Sequence, residues 1–234
     1  MSLTLDSTKR LNDGTEIPHL GIGMWQVPPG EVGVEAVKYA LKVGYRLIDT
    51  ASLYGNEREV RKGVRESGVP RKDVFITTKL WNSDHGYDRA VHACDRSLKL
   101  LGLEYIDLYL IHWPVTGARK ETWDALVTLQ REGKCRSIGV SNYTIGHLQQ
   151  LLEDSSVLPS VNQVEFNPFL YQRELLEFCK KKSIALEAYC PLTRGRRLNH
   201  PMLVETASRY SRTPAQIMIR WSLQHELIVI PKSV

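Results

Sequence analysis

Residues 44–57 read Gly44-Tyr-Arg-Leu-Ile-Asp-Thr-Ala-Ser-Leu-Tyr-Gly-Asn-Glu57. The run 45–50 is short and aliphatic, as a strand buried on both faces is. It ends on Asp49-Thr50, passes through a loop that carries Tyr54, and hands over to a charged stretch, 57–66, with helical periodicity. A strand followed by a helix is the unit of parallel α/β folds, and this unit recurs outward in both directions. Candidate strands fall at 20–23, 45–50, 74–79, 105–112, 135–141, 160–166, 185–189 and 227–231. Helical segments fall at 31–43, 57–66, 88–101, 120–132, 145–152, 172–182, 202–210 and 214–224. Such uninterrupted alternation predicts a closed (β/α)8 TIM barrel. An open dinucleotide-binding sheet would need G-x-G-x-x-G after its first strand, and Gly21-Ile-Gly23 runs into Met24-Trp25-Gln26 without completing it.

Several element ends are legible. Val34, Val37, Ala40 and Leu41 share one helical face before a stop at Gly44, and Gly102 stops the helix at 88–101 in the same way. Thr213-Pro214 opens the last helix as N-cap and first helical residue. Ahead of the barrel, Leu11-Asn-Asp-Gly14 separates 8–11 from 16–19, and its Asp-Gly step predicts a β-hairpin.

A chain of 234 residues with 42% hydrophobic content supports one core, expected as a single domain over 1–234. The 31 basic and 26 acidic residues are interspersed, and the longest basic run, Lys180-Lys-Lys182, closes a helix. No stripe predicts a nucleic-acid partner. Cys94, Cys135, Cys179 and Cys190 have neither CxxC spacing nor clustered histidines, so neither a metal site nor a disulfide framework is expected. With no signal peptide and no apolar run of about 18 residues, the expectation is a cytoplasmic protein with no membrane partner.

Barrel enzymes carry their chemistry at the carboxyl ends of strands. Here Asp49 ends the second strand, Lys79 the third and His112 the fourth, with Tyr54 in the adjoining loop and Trp81 and Trp113 flanking them as candidate walls of an apolar pocket. Singly, each has an ordinary reading: a buried Asp–Lys pair as a structural ion pair, a strand-end His as a satisfied polar group. Their coincidence at three neighbouring strand ends favours a site. A hydrolase or metal enzyme would want a carboxylate pair or clustered His there, and the sequence reading finds neither.

The segments Gly44 to Glu57, Leu108-Tyr-Leu-Ile-His-Trp-Pro114, Gly139-Val-Ser-Asn142 and Ile230-Pro-Lys-Ser233 resemble the signatures of the aldo-keto reductase family. The short link after strand seven resembles the bacterial-type and glyoxal or diketogluconate reductase-like members. The resemblance implies an NADPH-dependent enzyme that reduces aldehydes or ketones to alcohols, with a small carbonyl compound as its partner and a monomer as the family default. Tyr54 would be the general acid; Lys79 would lower its pKa, Asp49 would hold Lys79, and His112 would position the carbonyl oxygen. Ser141, Asn142 and Gln163 would hold the nicotinamide carboxamide and Tyr189 would stack on the ring, with Gly23 and Met24 as further cofactor residues. Lys232 and Ser233 would contact the 2′-phosphate of NADPH. Trp25, Trp81, Trp113 and His112 would meet the substrate. Barrels often bind phosphate after strands seven and eight, so Arg194, Arg196 and Arg197 are candidates for the pyrophosphate.

The family pattern continues past Ile230-Pro-Lys-Ser233 with a further Arg, a last barrel helix and a C-terminal segment. The chain is therefore expected as a C-terminally incomplete barrel, its last helix and tail missing, with apolar wall uncovered outside strand eight. A second reading follows: a weak or inactive truncated form serving as a nucleotide-binding, structural or regulatory protein.

Overall fold

The computed structural model describes residues 3–232. Strands β1 (Thr8–Arg10) and β2 (Glu16–Pro18) form the expected antiparallel hairpin. Its turn places Gly14 at φ +88°, where a side chain is strained, and Asp13 Oδ1 accepts from the backbone N–H of Thr15 at 3.0 Å. Eight parallel strands follow: β3 (Gly21–Gly23), β4 (Leu47–Asp49), β5 (Phe75–Leu80), β6 (Ile106–Ile111), β7 (Cys135–Ser141), β8 (Val161–Glu165), β9 (Ala185–Tyr189) and β10 (Ile228–Ile230). They pair in chain order, and β10 returns to β3: Val229 N–H donates to His19 at 2.9 Å and Gly23 N–H to Pro231 at 2.9 Å. The sheet thus closes into a barrel.

Alternation along the strands divides the apolar residues into two cores. Leu47, Phe75, Leu108, Val161, Ala185 and Ile228 cluster with Leu11 and Ile17 of the hairpin. The hairpin therefore plugs the end of the barrel where the strands begin. Ile48, Ile76, Tyr109, Ile138, Val164, Leu186 and Val229 belong to the larger cluster shared with the helices. The bore is tight: a Cβ on Gly139 would stand 2.5 Å from the Val161 carbonyl oxygen, so only glycine fits there.

The covering helices are α1 (Glu31–Lys42), α2 (Glu57–Ser67), α3 (Tyr87–Leu101), α4 (Arg119–Arg131), α5 (Ile145–Asp154), α6 (Arg173–Lys181), α7 (Pro201–Arg209) and α8 (Pro214–Gln224). Gly102 caps α3 in the left-handed region, and Thr213 and Gln216 form a reciprocal capping box at the start of α8. Both α7 and α8 lie between β9 and β10. Beside β3, the outer wall opens as an apolar groove of about 760 Å3 lined by Ile22, Val32, Ala36, Tyr39, Val43 and Pro231. The groove borders β3 and α1, whereas β10, the eighth barrel strand, outside which the sequence predicts an uncovered wall, is itself buried along Ile228–Ile230. No helix among the described residues is long and apolar enough to cross a membrane.

Candidate active site

The strands that are apolar at the plugged end turn polar at the other. On β4 the inward residues run from Leu47 to Asp49, on β5 from Phe75 through Thr77 to Lys79, and on β9 from Ala185 through Glu187 to Tyr189. Of these, Asp49 and Tyr189 reach a cavity of about 750 Å3 whose wall also includes Tyr54, His112, Ser141, Asn142 and Gln163. Trp25, Trp81 and Trp113 also line it.

Tyr54 ends a 3-10 turn, Ser52–Tyr54, directly after β4. The turn is fastened at both ends: Ser52 Oγ donates to the Lys79 carbonyl at 2.9 Å, and the buried Asn56 amide donates to the Met24 carbonyl at 2.9 Å and accepts from Thr50 Oγ1 at 2.6 Å. Lys79, fully buried, donates to Asp49 Oδ1 at 2.6 Å and the Thr50 carbonyl at 2.9 Å, and lies 3.4 Å from the Tyr54 hydroxyl. Burial works against the Lys79 charge, but Asp49 and Tyr54 more than offset it and raise the ammonium pKa. Lys79 stays cationic.

Lys79 acts on the Tyr54 pKa in the expected direction but does not decide the net shift. Burial pushes the phenol up, Lys79 pulls it down, and Asp49 adds to the upward push, so the net direction is above the ordinary value of 10.0. Tyr54 is thus a protonated phenol at neutral pH. His112 stands against it, ring centroids 5.7 Å apart, and against Trp81 at 5.2 Å. Burial, aided by the Lys79 charge, lowers the imidazole to about 3, so His112 is neutral at pH 7. Its Nδ1 is buried without a partner among the described residues.

A connected polar patch lies opposite. Ser141 Oγ donates to the Gln163 carbonyl at 2.8 Å, Asn142 Nδ2 donates to Ser141 Oγ at 3.1 Å and the His112 carbonyl at 3.0 Å, and Tyr189 Oη donates to Asn142 Oδ1 at 2.9 Å. Gln163 Nε2 donates to Asp49 Oδ2 at 2.8 Å and Glu187 Oε2 at 2.9 Å. Four residues of the wall, Gln26, Asn142, Cys190 and Arg194, hold positive φ without being glycine. That concentration of backbone strain marks the mouth independently of its chemistry.

Most anticipated positions converge here; some do not. Gly23 and Lys232 line the cavity, whereas the Met24 side chain is fully buried in the outer core. Among the loop arginines only Arg194 lines it; Arg197 instead lies over the Phe169 ring at 5.5 Å. Ser233 lies outside the described residues. Glu187, buried in the middle of β9 and joined to Asp49 through Gln163, is a group that the sequence patterns did not single out, because it does not lie at a strand end. Its signal was present: an acidic residue two positions before Tyr189, on the same inward face of a strand otherwise apolar up to that point.

Fold and mouth together define a barrel enzyme with acid–base groups at the carboxyl ends of its strands. The model of the Aldo/keto reductase family matches residues 19–234, and the chain belongs to that family. It is 47% identical to glyoxal reductase of Bacillus subtilis over 234 residues, spanning 100% of this chain and 85% of that one. A crystal structure of an aldo/keto reductase from Brucella melitensis matches with a TM-score of 0.93 at 49% identity, covering 97% of this chain and 88% of that one. The Bombyx mori aldo-keto reductase in complex with NADP matches with a TM-score of 0.92 at 37% identity, covering 99% and 84%. The chain is accordingly an oxidoreductase that acts on carbonyl compounds.

Proposed function

We propose that this protein reduces small reactive aldehydes, dicarbonyls of the glyoxal type among them, to alcohols with NADPH, and that Tyr54 is the general acid. One observation carries the reading: a protonated Tyr54 and a neutral His112 line one cavity, and a cationic Lys79, buried behind its wall, lies 3.4 Å from the Tyr54 hydroxyl. The similarity to glyoxal reductase and to a structure holding NADP supports the substrate class and the cofactor.

The residues present fit a nicotinamide nucleotide. Gln163 uses both amide hydrogens on Asp49 and Glu187, leaving Oε1 as an acceptor suited to a carboxamide NH2. The Tyr189 hydroxyl is tied to Asn142, which fixes an aromatic face at the wall. Arg194 and Lys232 line the same cavity and supply cationic partners for phosphate; Ser233 is the other candidate at that end. When bound, NADPH would supply a hydride to the carbonyl carbon.

The chain's own residues handle the oxygen. His112, neutral, offers a ring N–H that orients the carbonyl oxygen beside Tyr54 without competing for the proton. Tyr54 gives its proton to that oxygen as negative charge builds there. The phenolate left behind is stabilised by the adjacent ammonium, which Asp49 and the Thr50 carbonyl hold in place. Trp25, Trp81 and Trp113 exclude water around the reacting group. Oxidation of NADPH, followed by absorbance with a panel of aldehydes, tests the reading. Tyr54→Phe is expected to lower kcat/KM by about 10²- to 10⁴-fold, the range of a lost general acid, while quenching of tryptophan fluorescence by NADPH persists. A mutant within tenfold of the parent removes Tyr54 from the role.

A further inference from the structure

Glu187 has no part in the mechanism above, yet it is fully buried in the middle of β9 with its side chain in the bore. It begins a hydrogen-bonded row that crosses the barrel. Glu187 Oε2 accepts from Gln163 Nε2 at 2.9 Å; the same nitrogen donates to Asp49 Oδ2 at 2.8 Å; Asp49 Oδ1 accepts from Lys79 at 2.6 Å; and Lys79 lies 3.4 Å from the Tyr54 hydroxyl. The row holds two carboxyl groups and one ammonium. Asp49 has an ammonium and an amide hydrogen as donors, whereas Glu187 has a single amide hydrogen, and its Oε1 is buried without a partner among the described residues.

An uncompensated carboxylate in such a place costs far more than a neutral carboxylic acid does. If both carboxyl groups were ionised, the row would carry a net charge of −1 out of contact with water. A single proton removes that charge, and it belongs on the carboxyl with fewer donors. We propose that Glu187 is a positioning residue: it holds a proton at working pH, keeps the row beneath Tyr54 neutral, and fixes the Gln163 amide with its carbonyl oxygen turned to the cofactor cavity. The last two consequences rest on the reductase reading above; the proton itself does not.

Burial pushes the Glu187 carboxyl up to about 8, the Asp49 charge adding to the rise and Gln163 and Lys79 opposing it. The charged groups acting on it are Asp49 from β4 and Lys79 from β5. Gln163 of β8 and Ile228 of β10 are its neighbours in register and carry no charge. Loss of the proton brings a second negative charge into the row, so that Tyr54 gives up its own proton less readily.

Two measurements test this. In the cofactor-free protein, carboxyl carbon NMR with labelled glutamate, assigned by Glu187→Gln, is expected to show Glu187 titrating near pH 8. A Glu187 carboxylate already ionised at pH 6 overturns the proposal, whatever the enzyme does. In the NADPH-linked assay, kcat/KM of the parent is expected to fall about three- to tenfold across pH 7–9, up to one unit of effective pKa change in Tyr54, whereas Glu187→Gln, which keeps an acceptor for Gln163 but has no proton to lose, stays level. A parent and mutant with the same alkaline limb also overturn it. If no aldehyde is reduced at any pH, the reductase reading fails, and the carbon titration alone decides whether Glu187 holds the proton.

Discussion

The barrel keeps a buried carboxylate with cationic partners at each of its ends, and the two are built differently. At the end where strands begin, Asp107 of β6 is 2% exposed and fully partnered: Arg71 donates to Oδ2 at 2.6 Å, Arg136 to Oδ1 at 3.3 Å, and the Ile76 N–H to Oδ2 at 2.9 Å. Both guanidinium side chains reach solvent, at 26% and 50% exposure. At the end where strands finish, Asp49 faces, among the described residues, a single cation, Lys79, that is 0% exposed, and the neighbouring atoms Glu187 Oε1 and His112 Nδ1 lack partners among those residues. The first arrangement is what a stabilising site looks like, since both Asp107 oxygens are bonded and the charges are partly hydrated, with Arg71 Nε the one atom there that lacks a partner among the described residues. The second keeps unmet hydrogen-bonding capacity beside a cavity, a state that costs stability and is useful only to a ligand or a proton in transit.

The largest effect is expected at the cavity end: Lys79→Met leaves Asp49 buried without its cation, a change of about 3–5 kcal/mol in unfolding free energy for a broken buried pair, and it removes the support of the Tyr54 phenolate as well. Urea denaturation and the NADPH-linked assay should therefore both fail together. Asp107→Ala is the matched change at the plugged end. Its arginines can return to water, so a loss of about 1–3 kcal/mol is expected, with kcat/KM unchanged. An Asp107→Ala protein that is stable but slow would erase the distinction between the two ends.

A smaller, pH-dependent effect sharpens it. The His112 pKa is held near 3 in the folded protein against an ordinary value of 6.5. Between those values the unfolded chain binds more protons than the folded one, so stability falls as pH drops through that window and is fully present above it. His112→Gln should unfold less readily than the parent on acidification from pH 6.5 towards 3, measured by the urea midpoint at each pH. Equal acid sensitivity in parent and mutant would show that another group, His85 with its pKa lowered to about 4 by burial, carries the loss.

Much of this was legible in the chain. The strand–helix alternation, the Asp13-Gly14 turn, the Gly102 and Thr213 caps and the grouping of Asp49, Tyr54, Lys79 and His112 all follow from patterns within a few residues of each other or from the rule that barrel strands end at one face. What escaped shares one cause. Met24 and Arg197 sit next to cavity residues in sequence, but the fold turns their side chains to the core and to Phe169. The Gln163–Asp49 bond joins residues 114 apart, across a bore that exists only once β10 has met β3.

Sequence alone determined the order of elements and the identity of the groups at the mouth, because periodicity, capping and strand-end position are local properties of the chain. Tertiary structure decided the protonation states: Tyr54 held as phenol, His112 as neutral imidazole, Glu187 raised towards neutrality. Those depend on how much water each group loses and which charges come within a few ångströms of it, and both quantities are set by closure of the barrel and not by neighbours in the chain.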